Sequence, residues 1–178
     1  MVPLLFSTFE VTSQSFYRAT LSYAIVNLKP IVPGHVLVIP NRPVPRLSDL
    51  DDNELACLMR SVTRVGKVVE RVYGADALTI ACQDGKAAGQ SVPHVHFHLM
   101  PRKAAGDNFA GRNDEIYPVI ENNEGSMQSM MNGLSSKPNH SFLRVDADED
   151  RHPRTLQEME EEANYLRAFF RGTNDFAN

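Results

Sequence analysis

The sequence of 178 residues has few of the features that mark special classes of protein. It contains no tryptophan and only two cysteines, Cys57 and Cys82, too few for a disulfide framework, so we expect a reducing compartment. No apolar run approaches the roughly 20 residues of a membrane span, and the first residues lack the basic start of a signal peptide. We therefore expect a cytoplasmic protein, with the nucleus as a second compartment, and no membrane partner.

Charge is distributed unevenly along the chain, whose formal net charge is −4. Residues 1–100 carry nine lysines and arginines against eight acidic residues, whereas residues 101–178 carry nine against fourteen. The first part therefore does not repel an anionic substrate, and neither part is basic enough to indicate nucleic-acid binding. The length fits one domain with a substantial core.

Three histidines in strict alternation, His94, His96 and His98, form the most informative motif. In a β-strand they would share one face, with apolar residues on the other. Neighbouring rings would lie about 6 to 7 Å apart, so only the middle ring could be centred on a small reacting group. Because imidazole titrates near neutral pH, such a row favours chemistry over simple packing.

Two kinds of chemistry fit this row. Three imidazoles could ligate a metal such as zinc, but in an extended strand the outer rings lie too far apart for bonds of about 2.0 to 2.1 Å to one ion. Alternatively, His96 is a nucleophile, while His94 and His98 fix its tautomer and donate hydrogen bonds to an anionic substrate. Residues 89–91 offer backbone N–H groups and a hydroxyl for phosphate oxygens. We expect this second chemistry, without a bound metal.

Four separated blocks resemble the histidine triad superfamily in order and spacing: Asn27-x-x-Pro30-x-x-Pro33-Gly34-His35, Gln83-Asp84-Gly85, Gly89-Gln90-Ser91-Val92 and His94 to Met100. Within the superfamily, the fragile histidine triad branch of dinucleoside polyphosphate hydrolases is the most similar. His98 stands where transferases of the superfamily have glutamine, which favours hydrolysis. The resemblance covers residues 15–117.

The resemblance implies two groups of site residues. The catalytic group consists of the nucleophile His96 with His98, His94, Gln83 and His35. The substrate-binding group consists of Asn27 for the ribose hydroxyls and, for the phosphates, Gln83, Gly89, Gln90, Ser91, Val92 and His98. We expect the reactive nitrogen of His96 to lie bare at the floor of an open nucleotide cleft.

The implied activity is hydrolysis of dinucleoside triphosphates, diadenosine triphosphate (Ap3A) best, to AMP and ADP through a covalent nucleotidyl-histidine. No tightly bound cofactor is expected, and magnesium or manganese would accompany the polyphosphate as a counter-ion. Members of the superfamily usually form two-fold dimers, so we expect a homodimer. Two alternatives stay open: an adenosine phosphoramidase, and a nucleotide-sensing module that signals in its substrate-bound state.

The expected fold is α+β, with an antiparallel sheet of about five strands, an N-terminal hairpin, one long helix and a C-terminal helix. Strands are predicted over residues 4–9, 15–20, 23–27, 35–39 and 77–83 and at the triad. The long helix begins after the acidic cap at Asp51, carries apolar residues at spacings of three and four, and ends at Gly74. A second amphipathic helix is predicted over residues 154–171.

The predicted organisation has three parts. Residues 1–103 form the catalytic core, and residues 154–178 form a closing helix and tail of the same domain. Residues 104–153 are rich in Gly, Asn, Ser and acidic residues, which predicts an expanded mobile loop. Within it, Tyr117 matches a tyrosine that is phosphorylated in animal members of the resembled family.

Two N-terminal positions depart from the resembled pattern. Around the base the family often has an aromatic residue and a histidine, where this chain has Leu5 and Thr8. The resemblance therefore does not predict the base preference.

Overall fold

The structure, a computed structural model, describes residues 3–135 and 152–170, which contain seven β-strands and three α-helices. Five strands form one antiparallel sheet in the order β3-β4-β5-β7-β6. They are β3 (Ser15–Arg18), β4 (Ser22–Val26), β5 (Val36–Pro40), β6 (Ala77–Ala81) and β7 (Phe97–Arg102). The predicted α+β class and five-stranded sheet are confirmed. Within the described part of the chain, no helix is both long and apolar enough to span a membrane.

The N-terminal segment forms a separate two-stranded hairpin. Strand β1 (Leu5–Phe6) pairs with β2 (Phe9–Glu10), and Ser7 at the turn has a φ of +56°. The prediction of one strand over residues 4–9 is therefore wrong, because the chain reverses within it. The hairpin brings the buried ring of Phe6 into edge-to-face contact with His96, with ring centroids 5.2 Å apart.

Helix α1 (Asp52–Tyr73) follows its local sequence signals closely. The Asp51 side chain accepts hydrogen bonds from two backbone N–H groups of the first turn, and Gly74 ends the helix in the left-handed conformation. The predicted start and end are confirmed. Its apolar stripe, which includes Leu58, Val62, Val65 and Val69, is buried against the sheet.

The triad does not lie in one continuous strand. Strand β7 begins at Phe97, so only His98 has ladder partners, opposite Leu37 of β5 and Ala81 of β6. The preceding segment instead follows the connection after β5, because the Val95 N–H donates to the Val44 carbonyl. Placing all three histidines on one strand face is therefore wrong, and the ring centroids of His96 and His98 are 5.1 Å apart.

A third correction concerns the segment after the sheet. Residues Ile116–Ser135 form helix α2 inside the predicted loop. Its low-propensity Asn, Gly and Ser residues conceal an apolar stripe at helical spacing, formed by Ile116, Ile120, Met127 and Met131, all of which are buried. Residues 136–151 lie outside the described residues, so the predicted division into parts and the mobility of the loop stay predictions.

The C-terminal helix α3 (Leu156–Arg167) is confirmed within the predicted range. Thr155 caps it, and Met159, Ala163 and Leu166 bury its inner face. This helix packs against β3, at the opposite edge of the sheet from β6.

Two glycines with positive φ provide a matched test of packing. A Cβ at Gly74 (φ +59°) would meet nothing within 4 Å, whereas one at Gly34 (φ +80°) would lie 2.4 Å from the Tyr73 ring. We expect Gly74→Ala to lower the free energy of unfolding by about 1 kcal/mol, and Gly34→Ala by at least about 2 kcal/mol, since it adds a clash to the strain. Urea unfolding measures both variants. Equal losses of unfolding free energy in the two variants would contradict the predicted clash between a Cβ at Gly34 and the Tyr73 ring.

Candidate active site

The predicted site residues lie on and around the central strands β5 and β7. His35 immediately precedes β5, His98 lies in β7, and Ser91 and His96 lie on the segment that leads into β7. All three histidines of the motif and His35 are buried, at 0 to 1% exposure. The structure therefore places these side chains inside the protein, where each polar atom requires a partner.

A chain of hydrogen bonds fixes the tautomers of His35 and His98. The Ile31 backbone N–H donates to His35 Nδ1 (3.1 Å), so a neutral His35 carries its proton on Nε2. That nitrogen donates to His98 Nδ1 (2.9 Å), which places the His98 proton on Nε2. Burial lowers the pKa of His98, which keeps the ring neutral. His98 therefore presents an N–H donor to the site.

The reactive ring, His96, is oriented by a backbone group. Its Nδ1 donates to the carbonyl oxygen of His94 at 2.7 Å, which directs Nε2 into the site. In a neutral ring this leaves the lone pair on Nε2, the electronic state that a nucleophile needs.

The carboxylate of Glu124 occupies the point at which these donors converge. Its Oε2 lies 3.0 Å from His96 Nε2, and its Oε1 accepts from the Ser91 backbone N–H at 2.9 Å. His98 Nε2 lies 3.5 Å from Oε2, close enough for an electrostatic contact but without hydrogen-bond geometry. The Ser91 hydroxyl donates to the Glu124 carbonyl at 2.5 Å. The expectation of a bare His96 nitrogen in an open cleft is therefore wrong for this structure.

The imidazoles around Glu124 keep its side chain ionised. Burial raises the pKa of Glu124, but the imidazoles of His96 and His98 lower it by more, so its pKa lies below the usual range. The site therefore holds a carboxylate anion, whose Oε2 lies against His96 Nε2 at 3.0 Å.

His94 has a structural role that the sequence did not indicate. Its Nδ1 accepts from the Ser7 N–H and its Nε2 donates to the Pro40 carbonyl, both at 2.9 Å. Both ring nitrogens are therefore engaged with backbone groups, and the ring ties the N-terminal hairpin to the end of β5. The prediction that the His94 ring fixes the His96 tautomer and contacts phosphate is wrong, because its carbonyl oxygen orients His96.

The loop before the triad contributes fewer donors than predicted. The N–H groups of Gly89 and Gln90 donate to carbonyls within the loop, and the Gln90 side chain donates to the Pro45 carbonyl. Val92 is fully buried in the core. In this loop, only Ser91 directs its N–H and hydroxyl at the site. Gly89, Gln90 and Val92 direct no hydrogen-bond donor at the site, so they could contribute to phosphate binding only by shaping the loop that positions Ser91.

Gln83 and Asn27 have separate neighbours in the structure. The Gln83 amide lies close to Gly89, and within the described ranges its buried Oε1 has no hydrogen-bond partner. Asn27 is buried, with its Oδ1 accepting from the Lys29 N–H and its Nδ2 3.1 Å from His35 Nε2. Contact of Asn27 with a ribose and of Gln83 with a phosphate stay predictions.

The same groups could be considered for a metal ion. His96, His98 and Glu124 each present a ligand atom within 4.8 Å of the others. However, the proton that the His35 contact places on His98 Nε2 occupies the lone pair that a metal would need. The donor set therefore suits an anion better than a cation.

The match to a known family agrees with this geometry. The model of the HIT domain family matches residues 8–105, which include all four histidines of the site. The chain belongs to the HIT domain family. The match ends before α2, so Glu124 lies outside the region that defines the HIT domain.

Two curated relatives cover most of this HIT domain chain. A Schizosaccharomyces pombe protein named bis(5'-nucleosyl)-tetraphosphatase [asymmetrical] is 51% identical over 94% of this chain and 94% of its own length. An Arabidopsis thaliana protein named bifunctional bis(5'-adenosyl)-triphosphatase/adenylylsulfatase FHIT is 43% identical over 87% of this chain and 77% of its own length. Among solved structures, the Caenorhabditis elegans NitFhit protein is 34% identical with a TM-score of 0.66, covering 93% of this chain and 30% of that chain.

Glu124 is the site residue that sequence reasoning missed. A single glutamate in a segment rich in Asn, Gly and Ser carries no local signal, and the family resemblance extends only to residue 117. The methionines at 127 and 131, which the loop prediction left without a role, mark the buried face of the helix that carries Glu124.

The neutral His94 ring predicts a pH dependence of stability. Burial lowers its pKa from 6.5 to about 4, so the unfolded chain binds the proton first as the pH falls. The stability present above pH 6.5 is lost towards pH 4, by up to about 3 kcal/mol. We expect the fall in unfolding free energy between pH 7 and 5, measured with urea, to be shallower in His94→Asn.

The exposed His152 provides the control. His152→Asn is expected to follow the wild-type pH dependence. If His94→Asn does the same, His94 is not the neutral buried group that its contacts indicate.

Proposed function

We propose that this chain is a bis(5'-adenosyl)-triphosphatase, which hydrolyses Ap3A to AMP and ADP through a nucleotidyl-histidine. The observation that carries the proposal is the set of donors around one buried anionic group: the Ser91 N–H and hydroxyl, His96 Nε2 and His98 Nε2. A phosphoryl group offers these donors the same negatively charged oxygens as a carboxylate. The names of the S. pombe and A. thaliana relatives support dinucleoside polyphosphates as the substrate class.

In the proposed first step, neutral His96 attacks the α-phosphorus through Nε2 while Nδ1 keeps its hydrogen bond to the His94 carbonyl. The P–O bond to the leaving ADP breaks, and its electron pair departs with the bridging oxygen. His98 and Ser91 stabilise the charge on the phosphoryl oxygens. His35 is a positioning residue, because it acts on the substrate only through the tautomer of His98.

In the second step, water attacks the phosphorus of the nucleotidyl-histidine, and the P–N bond breaks with its electron pair returning to Nε2. AMP and the imidazole are released, and the proton lost by the attacking water passes to solvent. Gln83 is proposed to orient the leaving group or the incoming water, since its buried Oε1 has no hydrogen-bond partner in the described residues. Asn27 is proposed to bind the ribose. Magnesium or manganese would enter as a counter-ion of the polyphosphate.

A second candidate substrate is the dinucleoside tetraphosphate, favoured by the name of the relative that is 51% identical. The chemistry at His96 would be the same, and only the leaving group would change, to ATP. The adenosine phosphoramidase and the nucleotide-sensing module are the further alternatives. Comparison of kcat/KM for Ap3A, diadenosine tetraphosphate and adenosine phosphoramidate ranks the three substrates, and slow product release combined with tight binding would favour the sensing role.

The nucleophile is tested with His96→Asn. We expect turnover of Ap3A to fall by at least about 10⁴-fold, since the covalent route is lost while substrate still binds. Quenching of the wild-type reaction with denaturant at alkaline pH, which preserves the acid-labile P–N bond, followed by mass spectrometry of peptides, is expected to locate the adenylyl group on His96. Near-normal turnover by the variant, or an adduct on another residue, would exclude His96 as the nucleophile.

We further propose a homodimer joined at strand β6. This strand is the outer strand of the sheet, and its Ile80 side chain is 47% exposed. Helix α1, which packs against β6, adds the exposed side chains of Leu55 and Met59. Together these apolar groups fit an interface in which two sheets join edge to edge.

The dimer is tested by Ile80→Arg, with Leu156→Arg as its matched control. Leu156 is 48% exposed on α3, which packs at the opposite edge of the sheet. We expect sedimentation equilibrium to give a dimer for the wild type and Leu156→Arg, and a monomer for Ile80→Arg, because the charge cannot be buried unpaired. A wild-type monomer would refute the proposal.

For its location, we propose the cytoplasm, with the nucleus as a second compartment. The free thiols of Cys57 and Cys82 fit a reducing environment.

A further inference from the structure

We propose that Glu124 of helix α2 is an intramolecular competitor of the substrate: its carboxylate occupies the phosphoryl-binding position and must leave before a nucleotide can bind. The inference rests on the proposed function, since it assigns the same donors to a phosphoryl group. It adds an inhibitory residue that lies outside the part of the chain matched by the HIT domain model.

Glu124 contacts the groups that would bind the substrate phosphate. Glu124 is fully buried, and its carboxylate takes hydrogen bonds from the Ser91 N–H (2.9 Å) and His96 Nε2 (3.0 Å), with His98 Nε2 at 3.5 Å. These are the groups that the motif assigns to the substrate phosphate. Two anions cannot occupy this position together, so binding of one excludes the other.

Glu124 also covers the nucleophile. Its Oε2 lies 3.0 Å from His96 Nε2, the nitrogen that would attack phosphorus, so this nitrogen has no access to a substrate while the carboxylate is bound. Departure of Glu124 exposes the nitrogen. The occupied form is therefore inactive.

The helix that carries Glu124 is anchored but intrinsically weak. Ile116 and Ile120 pack on Ile31 and Val32, and the Asn123 amide donates to the Lys29 carbonyl at 2.7 Å. Directly after Glu124, however, stands Gly125, where a Cβ would meet nothing within 4 Å. Packing does not require glycine there, and in a helix it lowers stability relative to alanine. This lets the turn around Glu124 open while its anchors hold.

Only molecules from whose site Glu124 has departed can bind substrate. The apparent Kd for substrate therefore equals the intrinsic Kd divided by the fraction of molecules that are open. Substrate binding in turn releases the turn of α2 around residue 124. The amides of this turn are therefore expected to report whether the site holds nucleotide.

The direct test compares Glu124→Gln with Glu121→Gln. Both remove one negative charge from α2, but the Glu121 side chain is exposed. We expect Glu124→Gln to lower the KM for Ap3A, and the Kd for AMP by calorimetry, at least about fivefold, the factor for an open fraction of about one fifth. Glu121→Gln is expected to leave both unchanged. An unchanged or raised KM in Glu124→Gln would overturn the competition.

Gly125→Ala provides a change in the opposite direction. By strengthening the helix it is expected to hold Glu124 in place and raise KM up to about fivefold, the factor that corresponds to about 1 kcal/mol of helix propensity. A lowered KM would contradict the proposed opening.

The wild-type protein supplies a test that needs no variant. Saturating AMP is expected to accelerate hydrogen exchange at the amides of residues 124–126 at least fivefold, because the turn opens, while the amides of α1 stay protected. Unchanged or slower exchange in that turn, with AMP shown to be bound, overturns the inference. If neither wild type nor Glu124→Gln hydrolyses a dinucleotide or binds AMP, the proposed function fails instead. Hydrolysis with equal KM values refutes the competitor alone.

Discussion

Several hydrogen-bond donors that converge on one buried point require an anion. The Ser91 N–H, His96 Nε2 and the His98 N–H all lie against the buried carboxylate of Glu124, and unpaired buried donors are costly. An empty site would therefore be less stable than one filled by a carboxylate or a phosphoryl group. This constraint explains why a site that binds an anion is filled by a glutamate of its own chain. It also explains why substrate binding would exchange one anion, the carboxylate, for another, the phosphoryl group.

The direction of each donor depends on contacts between distant parts of the chain. The Ile31 N–H sets the tautomer of His35, which sets that of His98, so the loop between β4 and β5 determines what β7 presents to the site. The same residue type has three uses within five positions. His94 links the hairpin to β5, His96 presents its reactive nitrogen, and His98 directs an N–H towards the site. Their partners, and not their alternation, separate these roles.

The position of α2 places control of the site outside the region that performs the chemistry. The HIT domain match ends at residue 105, whereas the occupant of the site comes from residue 124. A helix attached by apolar residues at both ends, with glycine beside the inhibitory side chain, can open locally without disturbing the sheet. Substitutions in α2 would therefore alter inhibition, and substitutions in the HIT domain would alter catalysis.

Features set by neighbouring residues could be predicted from the sequence, whereas features set by packing between distant segments could not. The cap at Asp51, the end of α1 at Gly74 and the buried stripe between them are properties of neighbouring residues, and all were predictable. The histidine motif and Ser91 likewise indicated an anionic substrate. The α2 segment was misread because its Asn and Gly content favours loops, and only its packing on Ile31 and Val32 makes the helix stable.

The sequence by itself determined which groups are available: imidazoles near neutrality, a loop with a hydroxyl, and a long amphipathic helix. The tertiary structure alone decided which atom meets which, since Glu124 lies 28 residues from His96 and 33 from Ser91. Local patterns encode periodicity and backbone conformation, but a hydrogen bond between distant side chains exists only after the chain has folded and excluded water. For that reason the motif revealed the chemistry, and only the fold revealed that the site is closed.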